Sequence, residues 1–184
     1  MTLTRYRAIL AIALGVAASA AHGAWPVVWD FAGRDDIPVA ALRNDDGTLR
    51  VLVGAWVPGE AASRTMLLGI ADDGSIAWTR ELPALRGPVA LASGPAGVTA
   101  VLARSANQLE LAVVAADGQV QWSHSRAGLA AQQAFFGPSA APAWDAVGSA
   151  WRVPVGIAGD LAVLSFAADG TPLEYEMTTM SKSK

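Results

Sequence analysis

The residues able to carry chemistry are few. The 184-residue chain holds two histidines, His22 and His124, and no cysteine. An imidazole titrates near neutrality and is the commonest general base, so His124 is the first residue to weigh. It follows Trp122 by two positions, which in a strand puts both on one face, together with Val120. A base needs a nucleophile to activate, and Gly137-Pro138-Ser139 lacks the second glycine of a Gly-x-Ser-x-Gly elbow. His124 is therefore expected at a surface or an interface beside Trp122. Three acidic pairs, Asp35-Asp36, Asp45-Asp46 and Asp72-Asp73, raise the question of calcium. Calcium loops alternate their ligands and use more side-chain oxygens. Two of the pairs run straight into Gly47 and Gly74, which is turn chemistry, because Asp hydrogen-bonds its own backbone there. Gly156 and Gly159 do not make a phosphate-binding motif. No catalytic, cofactor-binding or metal-ligating residue is assigned, no cofactor is expected, and the chain is not read as an enzyme. One long connection, residues 127–147, carries Phe135, Phe136 and Trp144. Long loops are often functional, so these rings are the candidate binding residues, an aromatic patch for a protein or a glycan. The competing expectation is that they cover the core or cap a sheet edge.

These residues need a frame, and composition limits what it is. With 53% of residues hydrophobic and 16% charged, the chain is too apolar to be disordered and long enough for one domain or one set of repeats. The absence of cysteine excludes disulfides and thiolate metal sites. A net charge of -3 gives no reason to expect nucleic acid. Arg5 and Arg7 precede an apolar run over 8–21, broken at Ser19, and Ala21-His22-Gly23 follows. That is the order of a signal peptide over 1–23. The run falls short of the roughly 20 residues a membrane span needs. The expected product is an exported chain, periplasmic or extracellular, with no integral membrane segment after cleavage. Its charge, having lost two arginines, moves from -3 to -5. Residues 178–184 are polar and read as a disordered tail.

The remaining span, 24–177, repeats itself. Asp46-Gly47, Asp73-Gly74, Asp117-Gly118 and Asp169-Gly170 each lie between short apolar runs, and Asp-Gly between such runs signals a hairpin. Weaker turns at Pro95-Ala96-Gly97 and Ala146-Val147-Gly148 complete two series of turns spaced roughly fifty residues apart. Strands are predicted over 39–42, 49–56, 65–71 and 76–82, then over 89–92, 98–103, 109–115 and 119–124. The third unit has a poor first strand near Ala143, then 150–155, 161–167 and 173–177. Middle strands such as Val51-Leu52-Val53 and Leu111-Ala112-Val113-Val114 are apolar throughout, so both faces must be covered. Outer strands such as Gln119-Val120-Gln121-Trp122-Ser123 alternate and have one wet face. The fold class is all-β: about three four-stranded antiparallel blade-like repeats, a partial β-propeller.

The segments Ile70-Ala71-Asp72-Asp73-Gly74-Ser75-Ile76-Ala77-Trp78 and Ala115-Ala116-Asp117-Gly118-Gln119-Val120-Gln121-Trp122 resemble the tryptophan-docking repeats of quinoprotein-like (PQQ-type) β-propellers. The resemblance implies that Trp78 and Trp122 pack against the next blade, with Trp29 and Tyr175 as further copies. It implies no activity, since such propellers include enzymes and cofactor-free scaffolds. Closed propellers use about 4–8 blades, so three units leave open edges, which invite association. A homodimer closing one ring, or a protein partner at an open sheet edge, is expected; a barrel-like assembly of three sheets and a fragment of a longer propeller are the alternatives. The functional expectation is a binding or scaffold module, against an enzyme remnant of a quinoprotein-like or hydrolase propeller, or a decayed fragment without activity. N-terminal sequencing of the exported chain is expected to read Ala24-Trp25-Pro26; a chain still beginning at Met1 would remove the signal-peptide reading.

Overall fold

Apolar runs punctuated by turn glycines become hairpins in the computed structural model, which describes residues 35–44, 47–56, 58–59, 63–105, 108–127, 141–157, 160–173 and 176–178. The first sheet is β1 (Asp35–Arg43), β2 (Leu49–Trp56), β3 (Arg64–Ile70) and β4 (Ile76–Arg86). The second is β5 (Pro88–Ser93), β6 (Thr99–Ser105), β7 (Gln108–Val114) and β8 (Val120–Ala127). The third is β9 (Ala143–Asp145), β10 (Ala150–Ile157), β11 (Asp160–Ala167) and β12 (Glu176–Thr178). Each sheet pairs its strands antiparallel in chain order, so the fold is three consecutive four-stranded blade-like meanders. Trp29, Tyr175, Phe135, Phe136, Asp45 and Asp46, the proposed leader 1–23 and residues 179–184 lie outside the described residues.

The Asp-Gly turns share one geometry. Gly74, Gly118 and Gly170 take φ of 82°, 84° and 88°, a left-handed conformation open to glycine without steric cost. The Gly118 N–H donates to Ala115 O at 3.0 Å, and Ala115 N–H to Gln119 O at 2.8 Å. Asp117 Oδ1 accepts the Gln119 N–H at 2.9 Å, as Asp73 accepts from Ser75 and Asp169 from Thr171. Asp73, Asp117 and Asp169 are thus spent on their own turns.

Three expectations are corrected. The left-handed residue of the β9–β10 turn is Ser149, at φ 48°, and not Gly148. Asp145 Oδ1 accepts from both Val147 N and Gly148 N, and a Cβ on residue 148 would lie 2.7 Å from Asp145 Oδ2, so Gly148 serves close approach instead. The outer strand of the third unit, expected over 173–177, is described as Glu176–Thr178, preceded by an isolated bridge of Pro172 to Phe166 and a Leu173 N–H bond to Ser165 O, with 174 and 175 outside the described residues. Proline has no N–H to give the ladder. Trp144 belongs to β9, the short first strand expected near Ala143, and not to the 127–147 connection. A smaller shift affects Val120, which is exposed while Trp122 and His124 are half-buried, because the β7–β8 ladder skips Gln121.

Burial follows from the middle strands having no polar face. Leu52, Leu67, Leu82 and Leu85 of the first sheet pack with Val101, Ala103, Ala112 and Val114 of the second. The opposite face of the second sheet, Ala100, Leu102, Leu111 and Val113, packs with Trp151, Val153, Leu164 and Phe166 of the third. The far face of the first sheet, Val51, Val53, Ala55, Met66, Leu68 and Ile70, is also buried. Adjacent sheets are joined at their outer strands by indoles. Trp78 Nε1 donates to Ala116 O at 3.0 Å, and its ring lies against Gly118. Trp122 Nε1 donates to Ala168 O at 2.8 Å, and its ring lies against Gly170. Trp78→Ala is expected to cost about 3 kcal/mol and Trp78→Phe, which keeps the ring but loses the donor, about 1 kcal/mol, measured by urea denaturation. A Trp78→Ala loss below about 1 kcal/mol would mean the indole does not join the sheets.

Candidate functional site

Because the chain repeats, its two inter-sheet junctions can be compared position by position, with Gly47, Gly97 and Ser149 as the matching left-handed turn residues. The junction of the first and second sheets is closed by cations. Arg50 pairs with Gly69, and Gly69 with Trp78; a Cβ on residue 69 would lie against the Trp78 ring, so glycine there makes room for the indole. The Arg50 guanidinium sits 4.9 Å from the centre of a Trp78 ring. It donates from Nη2 to Ala116 O and from Nη1 to Thr48 Oγ1, each at 3.0 Å. Arg80 Nε donates to Gly118 O at 2.8 Å.

The second junction keeps the docking indole and replaces the rest. Ala100 stands where Arg50 stands, pairing with Val113, which pairs with Trp122. Val98 replaces Thr48 and His124 replaces Arg80. On the facing sheet, Trp151 and its partner Trp144 stand where the second sheet has Thr99 and its partner Ser93. A Cβ at Gly94 would approach the Trp151 ring to 2.6 Å, and Gly94 stands where the first unit has Asn44, so the bare backbone is what admits the larger ring. Trp144 meets Trp151 edge-on at 5.3 Å.

The outcome is an open cleft of about 570 Å³ between the second and third sheets. Three indoles line it, Trp122, Trp144 and Trp151, with Pro95, Ala96 and Val98 on one rim and Ala168 and Asp169 on the other. The exposed amide of Gln121 lies at its edge. Flat apolar rings next to a carboxylate and an amide suit a ligand that stacks and also carries hydrogen-bond donors.

Of the residues singled out from sequence, Trp122 and Trp144 meet in this cleft, while Trp78 lies at the other junction. Phe135, Phe136, Trp29 and Tyr175 lie outside the described residues. His124 packs its ring on Phe166 at 5.0 Å across the second junction. Trp151 and Asp169 were not identified from sequence. A signal for Trp151 is in the sequence, since it occupies the position of Leu49 and Thr99 counted from the left-handed turn residue, but only once that residue is Ser149 rather than Gly148. Among the described residues no three Asp, Glu or His side chains gather as a metal would require.

No family model matches the chain, and no curated protein matches it. Among solved structures it is similar to the crystal structure of the eukaryotic initiation factor, with a TM-score of 0.52 at 11% identity. The match covers 78% of this chain and 33% of that one, so the chain spans about a third of that structure's length. At this identity the likeness shows the fold alone.

Two carboxylates near the cleft are held ionised. The Thr171 N–H keeps the Asp169 carboxyl below the usual range. The Gly148 N–H, then the Arg152 guanidinium, do the same for Asp145, whose Oδ2 lies 3.2 Å from Arg152 Nη2. A carboxyl whose pKa is lower folded than unfolded adds stability above its ordinary value of 3.8, and that contribution disappears as pH falls through the folded value. Asp145→Asn should therefore lower the melting temperature at pH 7, with the difference from wild type closing below pH 3.8. A difference that persisted unchanged at low pH would mean the carboxylate's charge does not hold this turn.

Proposed function

We propose that the chain is an exported binding or scaffold module, a quinoprotein-like partial β-propeller whose stacked sheets hold one partner-binding surface, the cleft between the second and third units. The observation that carries this reading is the asymmetry of the two junctions. One is filled by the chain's own arginines, and the other presents two half-buried indoles, Trp122 and Trp144, at an open space of about 570 Å³ backed by the buried Trp151. Exposed tryptophans are rare on surfaces with no contact to make, and they are enriched where proteins meet. Trp122 and Trp144 are half-buried at the cleft, so part of each ring remains available. The leader-like segment 1–23 supports export. The alternating apolar and polar outer strands support a frame built by repetition, with recognition left to the places where the repeats differ.

The partner is read as a protein. The cleft is open rather than enclosed, and its rims are turns of two different sheets, which suits a side chain or a short segment of polypeptide entering from solution. A photo-crosslinking residue placed at Gln121 in the full chain, expressed in its own cells, is expected to give a discrete protein adduct. The same residue at Ala77, which holds the matching exposed position in the first unit, is expected to give none. Adducts at both positions alike, or at neither, would remove the cleft as the partner surface.

A further inference from the structure

We propose that the cleft is a receptor for an arginine side chain of the partner polypeptide, an inference that rests on reading the chain as a binding module. The chain carries its own template for this. At the first junction a guanidinium lies on the docking indole and donates to the turn carbonyl that the same indole uses: Ala116 O accepts from both Trp78 Nε1 and Arg50 Nη2. At the second junction the indole and the turn carbonyl recur as Trp122 and Ala168 O, but Ala100 has no side chain to reach them. Trp122 and Ala168 both line the cleft, so a guanidinium entering it meets both.

The other replacements favour the same cation. Trp151 is buried in the core behind the cleft, while Trp144, standing for Ser93 and half-buried at the cleft, adds an aromatic ring to that of Trp122. A planar, weakly hydrated guanidinium stacks on such rings better than an ammonium does. Asp169 at the rim adds a full negative charge, held ionised by its own turn. The chain is net negative, at -3, which favours encounter with a basic partner. A neutral sugar would also find the indoles attractive, but it would make no use of the carboxylate or of the Arg50 pattern.

The test is titration of the full chain with acetyl-Gly-Arg-Gly-amide and with the same peptide carrying citrulline, which keeps the shape and loses the charge. Binding is read from the indole N–H signals of the tryptophans in NMR spectra. The arginine peptide is expected to shift Trp122 and Trp144, and the citrulline peptide to bind about tenfold more weakly or not at all. Asp169→Asn keeps an acceptor for the turn and should weaken the arginine peptide several-fold, as should raising the salt. Ala100→Arg supplies the arginine from within and should abolish binding. If that variant fails to fold, Trp144→Ala must still weaken binding by about tenfold. Equal binding of the two peptides, or unchanged binding in Trp144→Ala, overturns the inference. Crosslinked adducts at Gln121 without a preference for arginine would overturn it and leave the binding-module reading standing. Loss of the adducts as well would remove both.

Discussion

Everything in this structure depends on an indole N–H reaching a turn carbonyl on the neighbouring sheet. Middle strands with no polar face must be covered on both sides, so each sheet needs a neighbour at a fixed distance. The tryptophan sets that distance from the outer strand. Its ring lies flat on the turn glycine, where a Cβ would come within 2.8 Å at Gly118 and 2.7 Å at Gly170. Those glycines therefore do two things at once. They supply the left-handed backbone of the hairpin, and they leave bare the surface on which the next sheet comes to rest. Losing either property would lose the other, because the same missing Cβ provides both.

On this shared joint the two junctions were built differently. The first is sewn by Arg50 and Arg80 to the carbonyls of Ala116 and Gly118, with the apolar cluster beneath. The second is held by rings: Trp122 and His124 on Phe166, and Trp151 against Gly94. Each replacement demanded another. A tryptophan in place of threonine at 151 needs glycine in place of asparagine at 94, and a valine at 113 in place of glycine at 69 goes with alanine in place of arginine at 100. The ends of the stack differ as well. The far face of the first sheet is apolar and buried, whereas the far face of the third carries Arg152, turned back onto Asp145 and Ser165 of its own sheet.

The sequence made much of this legible. Strand β2 occupies the residues predicted for it, and the two tryptophans follow their glycines at a spacing that the structure explains. Those features are local: a hairpin turn and a period of two are written in neighbouring residues. What stayed hidden was settled across space. Ser149 takes the conformation expected of glycine, at a cost of about 1 kcal/mol, because the Asp145 carboxylate and Arg152 fix the turn around it. The strand near Ala143 is legible only as a poor one, and Trp144 is assigned to the connection before it, because a strand of three residues leaves almost no periodicity to read. The cleft is hidden for a deeper reason: Trp122 comes from the second sheet and Trp144 and Trp151 from the third, and only the stacking of the two sheets brings them together.

The chain-order pairing of the strands also governs how the molecule comes into being. Every hairpin closes between segments adjacent in sequence, so each sheet pays little loop-closure entropy and can form early. The joints between sheets are longer in reach, since Trp78 must find a carbonyl 38 residues on and Trp122 one 46 residues on. A nascent chain that has completed β8 but lacks β10 and β11 therefore exposes Leu102, Leu111 and Val113 with nothing yet to cover them. The interval between making those residues and making their cover is the moment at which this protein is most prone to aggregate.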